Sequence, residues 1–535
     1  MSHFAPPYPR PQGRGILRGG VNLFNSVQMN KEIKTLLKKI VTYTKKKNLH
    51  LYLVGGFLRD YFLKIPNNDI DFVTSADAEK FGQLLAKKIK ASFVRLDEKN
   101  KIYRVVWLAS SAGRRGPPAS PVGGGKNKKV YNLDFSQMQG QNIKEDLSRR
   151  DFTINALALP IVNLSTYLPR RQAGQPINLR NIIDPYNGTK DLKKKIIRKI
   201  NDKTFDVDSL RLIRAFRFRA QLGFKIESKT LQLLRNRAKL INLSAPERIR
   251  EELCRIFATR NSPKILKQMD QVNLLKYIFP EIVSMKKSAR KFYFHPQGLW
   301  QHSVESLEMY EKMLNNPKKY FYQFSKKICP HLAEKVNGID RQTLLKFIVL
   351  FHDVAKPQTA QREGEKMRFI GHEKKGASII KGIFKRLKFG KAEINIAEKV
   401  IHYHMRPGNL TQLPQITNRA IYRYFRDLGK EGIDLLILSL ADRYSYLRIS
   451  KKPEEIVRHH KKILKIFRRY YEEKEKVTPP KLINGYEVMK ICQIPPGPRV
   501  GELLRLIEEA QAEGKIKTKE EAKKFLLSLI TQIKT

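Results

Sequence analysis

The stretch LYLVGGFLRDYFLKIPNNDIDFVTS, residues 51–75, decides how the rest of the chain is read. An apolar strand pattern over 50–54 runs into Gly55-Gly56, a short helical pattern covers 56–64, and a second strand pattern over 69–74 carries Asp69 and Asp71 one residue apart. Successive side chains of a strand alternate faces, so the two acids point to the same side with Ile70 behind them in the core. Two such carboxylates repel one another unless a cation sits between them, and hard oxygen ligands of this kind suit Mg²⁺ bound jointly with substrate phosphates. That is the arrangement of phosphoryl transfer, in which metal ions stabilise the attacking and leaving oxygens of an in-line displacement. Glycines at a strand-to-helix turn let backbone N–H groups approach a triphosphate at the positive end of a helix, and Arg59 adds a charged donor. Taken alone, an Asp-x-Asp is also found at turns and strand edges with solvated acids, and Gly55-Gly56 also suits a tight turn before a surface Arg59-Asp60 pair.

Outward from this stretch, apolar residues recur at helical spacing from Met29 to about Lys47, ahead of the first strand. After the second strand, Ser75 is placed to cap a helix running to about Lys90, and strands are predicted at 92–96, 102–108 and 130–135. The last of these ends near Asp134, which is either a third acid of the site or a solvated surface residue. SSAGRRGPPASPVGGGKNKK, 110–129, is rich in Gly, Pro and basic residues and reads as an insertion in a hairpin. Beyond about Lys144 the pattern is mainly helical. YEEKEKVTPPK, 471–481, reads as a linker before a last helical module.

A chain of 535 residues exceeds one ordinary core and suggests several modules. No run approaches the roughly 20 apolar residues of a membrane span, so a soluble protein without a membrane partner is expected. The formal charge of +55, from 105 Lys plus Arg against 50 Asp plus Glu, attracts a polyanion, and nucleic acid leads the classes of partner. A Lys-rich proteome would also give such a charge. Cys254, Cys329 and Cys492 are scattered, without Cys-x-x-Cys spacing, which fits a reducing cytoplasm and excludes a disulfide framework or thiolate zinc site. Residues 1–28 contain three Arg, several Pro and Gly and no acid, and read as a disordered basic arm, with a transit peptide as the alternative.

EDLSRRDFTINALA at 145–158 supplies the context that the paired acids need. With Gly-Gly-x-x-Arg-Asp and Asp-x-Asp before it, the chain resembles the class II tRNA nucleotidyltransferase (CCA-adding enzyme) and poly(A) polymerase family. DPYNGTKDL (184–192), DSLRLIRAFRFRAQLGF (208–224) and SAPERIREEL (244–253) continue the match. The resemblance implies an α+β fold: a small mixed β-sheet head of the polymerase-beta-like kind followed by all-α neck, HD and tail domains. It implies that Asp69 and Asp71 are the catalytic Mg²⁺ ligands, with Gly55, Gly56 and Arg59 near the triphosphate. Arg150, Asp151 and Asn155 would recognise ribose and phosphates of the incoming nucleotide, although Asp151 equally suits an N-cap. Asp208 and Arg211, about one helical turn apart, would read the base, with Arg214 beside them. Cytosine and adenine both present an exocyclic amine beside an unprotonated ring nitrogen, so one acceptor and one donor read either. Where the family pattern has Glu before that Asp, this chain has Val207, which leaves Arg211 without a carboxylate to hold it.

Seven of the eleven histidines fall between 295 and 404. His302, His352-Asp353 and Asp442 reproduce the His…His-Asp…Asp order of the HD superfamily, which this region resembles. His372, His402 and His404 lie in the same region. The resemblance implies a divalent transition metal on His302, His352, Asp353 and Asp442, hydrolysis of phosphoesters, and Lys356 orienting a phosphate. The C-terminal stretch from 482 resembles the last module of HD-containing tRNA nucleotidyltransferases, and Lys193–Lys195, Lys286–Lys291 and Arg458–Lys465 are basic runs suited to RNA backbone. The expected organisation is an arm (1–28), a head (29–160), a nucleobase- and RNA-binding neck (161–285), an HD domain (286–475) and a C-terminal RNA-binding module (476–535). The expected activity is template-independent addition of nucleotides from CTP and ATP to RNA 3′ ends, foremost CCA addition or repair on tRNA. Alternatives are a poly(A) polymerase, a CC-only or A-only enzyme, an HD phosphohydrolase, or a non-catalytic RNA-binding protein.

Overall fold

The computed structural model describes residues 31–46, 49–109, 129–161, 181–287, 298–364, 366–477 and 479–534. The expected arm over 1–28 and the expected insertion, apart from Lys129, lie outside these residues, as do 288–291 of the basic run Lys286–Lys291. The chain forms two compact units, Met1–Arg237 and Ala238–Thr535, and the fold is α+β.

The first unit opens with α1 (Lys31–Lys46), whose Ile33, Leu36, Leu37, Ile40 and Val41 recur every three to four residues and are all buried. There follow β1 (Leu51–Val54), α2 (Gly55–Phe62), β2 (Asp69–Thr74), α3 (Ala78–Ile89), β3 (Ser92–Asp97), β4 (Ile102–Leu108), β5 (Val130–Gln137), α4 (Ile143–Ser148) and β6 (Ala158–Pro160). They build a six-stranded sheet in the order β3-β4-β5-β2-β1-β6, parallel only between β2 and β5. Leu53, Ile70, Phe72, Leu133 and Phe135 are buried on the sheet, and the Phe72 and Phe135 rings stack at 5.0 Å.

Two sequence expectations change. The cap of α3 is Asp77, whose carboxylate accepts the Lys80 N–H at 2.9 Å, rather than Ser75; the helix begins two residues later than read, where a carboxylate reaches its free N–H groups. Strand β5 continues through Ser136 and Gln137, so Asp134 sits in mid-strand and not at an end. The hairpin reading holds: β4 and β5 pair antiparallel as far as Leu108 opposite Val130.

After the sheet come α5 (Gly188–Lys194), α6 (Thr204–Val207) and α7 (Arg211–Leu222). In DPYNGTKDL the Asp184 carboxylate accepts the N–H groups of Gly188 and Thr189 and the Thr189 hydroxyl, starting α5. Gly188 is required by close approach, since a Cβ there would lie 2.1 Å from the Thr153 carbonyl oxygen.

Among its described residues the second unit is helical apart from two short antiparallel pairs, Lys335–Val336 with Ile339–Asp340 and Gln361–Glu363 with Lys366–Arg368. Helices Leu299–Asn315, Arg341–Phe351 and Glu431–Ser445 pack around Leu307, Leu344, Ile348, Leu436 and Leu440, all buried. At the C-terminal end, Asn484 and Glu487 form a capping box for the helix Gly485–Cys492. That helix packs with Pro498–Ala512 and Lys519–Lys534 around Val488, Leu503, Ile507 and Leu526. Arg419, Arg423 and Arg426 converge on the buried Glu509 of the middle helix. Among the described residues no helix is long and apolar enough to cross a membrane.

Candidate active site and candidate metal centre

The antiparallel register of β1 and β2 places Val54 opposite Asp71, so the turn into α2 begins directly across from that carboxylate. Gly55 takes a φ of +67°, a conformation that favours glycine. A Cβ on it would lie 3.4 Å from Asp71 Oδ2 and 3.6 Å from Arg150 Nη1, and one on Gly56 would lie 3.6 Å from both Asp71 Oδ2 and Arg59 Nη2. The paired glycines therefore leave a cradle lined by one carboxylate and two guanidinium groups.

On the other side of β2, the parallel register places Asp69 opposite Asn132 and Asp71 opposite Asp134. Asp69 is exposed and accepts the Asn132 amide at 2.8 Å. Asp134 is held bidentately by Arg104, at 2.7 and 2.8 Å, which ties the third acid into an ion pair. Burial, with the negative charges of Asp134 and Asp69 beside it, pushes the Asp71 carboxyl up to about 6. A site that raises a carboxyl in this way favours a cation between its oxygens, and Asp69 and Asp71 fit a hard divalent ion.

Behind the cradle lies a connected polar network. Arg59 donates to Asp60 at 2.7 Å and to Asn155 Oδ1 at 2.8 Å, and its guanidinium sits 4.9 Å from the Phe218 ring centre. Arg150 donates to Asp146 at 2.9 Å. Asp151 is buried, and its two oxygens accept four donors: the Phe152 N–H (2.8 Å) and Asn155 Nδ2 (2.9 Å) on Oδ1, and Arg214 Nε (2.9 Å) and Nη2 (2.6 Å) on Oδ2. An ionised carboxylate offers about four lone-pair sites, so these four donors fill it. Burial opposes its charge, but the Arg214 guanidinium and the Asn155 amide hold it at about 2. Asp151 thus orients Asn155 and Arg214, and does not cap a helix: the Thr153–Asn155 turn after it has Phe152 as its N-cap.

The base-reading pair is arranged differently from the sequence picture. Asp208 does not share a helix face with Arg211. It follows α6 in extended conformation, and its side chain accepts the Leu210 N–H at 3.1 Å, just ahead of α7. Arg211 opens α7 and donates to the carbonyls of Arg149 (2.6 Å), Thr204 (3.1 Å) and Arg150 (3.3 Å). Three backbone carbonyls do the holding that the family pattern assigns to a Glu. Val207 is 62% exposed.

In the second unit, the helices Leu299–Asn315, Arg341–Phe351, His372–Arg386, Lys391–His402 and Glu431–Ser445, with the residues that directly follow two of them, bring together His302, His352, Asp353 and Asp442 and also His372 and His404. The ligand atoms of His302, His352 and Asp442 lie within 4.8 Å of one another, and so do those of Asp353, His372 and His404. Asp353 stands between the groups: Oδ2 is 3.2 Å from His352 Nε2 and 3.7 Å from His302 Nε2, while Oδ1 is 3.6 Å from His372 Nε2 and 3.5 Å from His404 Nε2. The Nδ1 atoms of His352, His372 and His404 bond the carbonyls of Val349 (2.8 Å), Phe369 (2.6 Å) and Ile401 (2.7 Å), which turns each Nε2 inward. The buried Nε2 atoms of His302 and His352 face carboxylates, Asp442 Oδ1 at 3.2 Å and Asp353 Oδ2 at 3.2 Å. Against the cost of burial, Asp353 and Asp442 push the His352 imidazole up to about 10, while burial lowers His302 and His372. Imidazole Nε2 atoms and carboxylate oxygens converging in this way form a mixed donor set that fits divalent metal binding. Lys356 donates to Asp353 Oδ2 at 2.6 Å. Sequence reasoning named His372 and His404 without assigning them; their Nδ1–carbonyl bonds join residues three apart, but the pairing of the two rings comes from the fold. His402 is not part of either group.

The strand, Gly-Gly turn and paired acids, backed by an Arg-rich network, define the first unit as a nucleotidyltransferase head. Residues 51–198 match the Poly A polymerase head domain, 223–285 the probable RNA and SrmB-binding site of polymerase A, and 299–447 the HD domain. The chain belongs to the tRNA nucleotidyltransferase and poly(A) polymerase family, in a form that carries an HD domain. It is 29% identical to the A-adding tRNA nucleotidyltransferase of Deinococcus radiodurans, over 89% of this chain and 94% of that one. It is 27% identical to the CC-adding tRNA nucleotidyltransferase of Thermus thermophilus, over 89% and 92%. Among solved structures, the Thermotoga maritima CCA-adding enzyme complexed with tRNA aligns with a TM-score of 0.58 at 21% identity, over 95% of this chain and 100% of that one.

Proposed function

We propose that this chain completes or repairs the CCA end of tRNA, transferring CMP and AMP from CTP and ATP to the RNA 3′ end. The observation that carries the reading is the cradle in which Gly55 and Gly56 lie across from Asp71 with Arg59 and Arg150 around them. Asp69 and Asp71 would hold Mg²⁺, which when bound supplies charge stabilisation for the attacking and leaving oxygens. Arg59 and Arg150 face the triphosphate, and the glycines leave room for it against the α2 backbone. The RNA 3′-hydroxyl attacks the α-phosphate and pyrophosphate leaves. Asn155 and Arg214, fixed by Asp151, are the groups that meet the ribose and phosphates. Asp208 and Arg211 read the base edge. The named activities of the relatives, A-adding and CC-adding on tRNA, support the substrate class. The test offers purified protein tRNAs ending before the first C, after one C and after two, with each NTP separately. CTP is expected to enter the first two and ATP the third. Absence of any incorporation refutes the reading, and entry of only C or only A narrows it. Asp69→Ala and Asp71→Ala are each expected to abolish extension with RNA binding changed by only a few-fold.

A second reading rests on Asp353 standing between two triads: the HD domain hydrolyses phosphoesters with a divalent transition metal. His302, His352 and Asp442 on one side, and His372 and His404 on the other, would be the ligands, with Lys356 placed for a substrate phosphate. Cleavage of a 2′,3′-cyclic nucleotide or simple phosphomonoester, lost in His352→Ala, is the expected result; cleavage retained in that variant refutes it.

A further inference from the structure

On the second unit, away from both metal triads in the sequence and in its lining residues, a cleft of about 280 Å³ is bounded by Tyr322, Gln323 and Phe324 on one side and Lys461, Leu464, Lys465 and Arg468 on the other. We propose that this cleft binds single-stranded RNA, with a base stacked on Tyr322 and the phosphodiester chain running along Lys461, Lys465 and Arg468. The proposal rests on the reading that the chain handles RNA, and adds a contact on the unit that does not carry the transferase residues.

Three observations carry it. Tyr322 has φ 49° and ψ −131°, a conformation that glycine adopts and a side chain resists. A tyrosine kept there and left 54% exposed gains little from burial. Such strain is retained where it presents a group. Second, the helix Pro453–Glu472 turns Lys461, Lys465 and Arg468 to one face at intervals of four and three residues. At 1.5 Å per residue these charges lie about 6 Å and about 4.5 Å apart along the axis, a ladder that a phosphate backbone can follow. Third, Lys461 and Lys465 have no carboxylate or hydrogen-bond partner among the described residues; Arg468 alone is met, by Glu472 at 3.2 Å. Unpaired cations beside an exposed ring form the combination used for sequence-tolerant binding of single strands. By contrast, Lys462 of the same helix donates to the carbonyls of Thr411 and Leu413 and belongs to the fold.

The test measures binding of a labelled unstructured oligoribonucleotide and of tRNA to the full-length protein between 50 and 200 mM salt. Lys461→Glu/Lys465→Glu is expected to lower the slope of log affinity against log salt by about 1.4, as two phosphate contacts are lost. Tyr322→Gly, which relieves the backbone, is expected to weaken binding 5- to 150-fold with an unchanged unfolding midpoint, whereas Tyr322→Phe stays within two-fold. A 4-thiouridine oligonucleotide should cross-link to Tyr322. Extension at saturating RNA keeps its wild-type kcat in all these variants. Unchanged RNA affinity and salt slope in both Tyr322→Gly and the double variant overturns the proposal. So does displacement of the cross-link by AMP or by a poly-Glu peptide at concentrations where RNA displaces it, which would make the ligand a mononucleotide or an acidic segment. Tyr322-dependent binding in a protein that extends no RNA would leave this cleft standing while the transferase reading fell; normal extension with Tyr322-independent binding would do the reverse.

Discussion

Replacing Asp151 by Asn removes one charge and leaves the shape, and its effect can be worked from the network around it. The carboxylate accepts four donors and is held at about 2 against an ordinary 3.8. At 1.36 kcal/mol per tenfold this contributes about 2.5 kcal/mol to folding. The folded value lies below the unfolded one, so the contribution is fully present above about pH 5 and is lost as pH falls through the folded value; by the same linkage about half remains at pH 3. The variant also turns an amide N–H₂ toward either Asn155 or the Arg214 fork, where only acceptors are wanted, leaving a buried group unsatisfied. The two tryptophans of the chain are Trp107 in β4 and Trp300 in the second unit. Urea unfolding followed by Trp107 fluorescence in a Trp300→Phe background therefore reports the head. Asp151→Asn is expected to be less stable by about 3.5–5.5 kcal/mol at pH 7, with a deficit about 1 kcal/mol smaller at pH 3, and to raise KM for CTP and ATP about tenfold as Asn155 and Arg214 lose their alignment. A deficit that is absent at pH 7, or as large at pH 3, would refute the argument.

Val207→Glu is expected to leave discrimination of CTP and ATP against UTP and GTP within two-fold, because backbone carbonyls already hold Arg211, whereas Asp208→Ala should relax it by roughly 5- to 150-fold, the worth of one good base contact; single-nucleotide incorporation kinetics measure both. Gly188→Ala drives a methyl into the Thr153 carbonyl and is expected to abolish soluble expression or lower the unfolding midpoint by more than 5 °C. His404→Ala should reduce bound divalent metal, measured by elemental analysis after transition-metal loading, from two ions per chain to one, with nucleotide extension unchanged.

The paired acids were legible because strand alternation is a local rule: Asp69 and Asp71 needed only their spacing to be placed on one side. Gly55 and Gly56 were legible for a similar reason, being adjacent to the strand they follow. What sequence could not give was register. Asp134 comes opposite Asp71 only through the parallel pairing of β2 with β5, and its ion pair with Arg104 depends on β4 lying beyond. The Asp208–Arg211 pair misled because i to i+3 spacing presumes a helix, and the chain makes its break between α6 and α7 at Asp208. Of the imidazoles, His302 and the His352-Asp353 pair follow a known order, but His372 and His404 converge only once their helices pack.

The Nδ1–carbonyl bonds of His352, His372 and His404 have a kinetic consequence. Each ring is already rotated, and its inward nitrogen chosen, by a bond to the residue three before it, so ion capture needs no rearrangement of the rings, and at His352, which Asp353 and Asp442 hold protonated, it requires loss of a proton. Loading in the HD domain should then speed up with rising pH until His352 is neutral. Because Asp353 faces both triads, the ion that arrives first screens the charge seen by the second, and the two should enter at separate, resolvable rates.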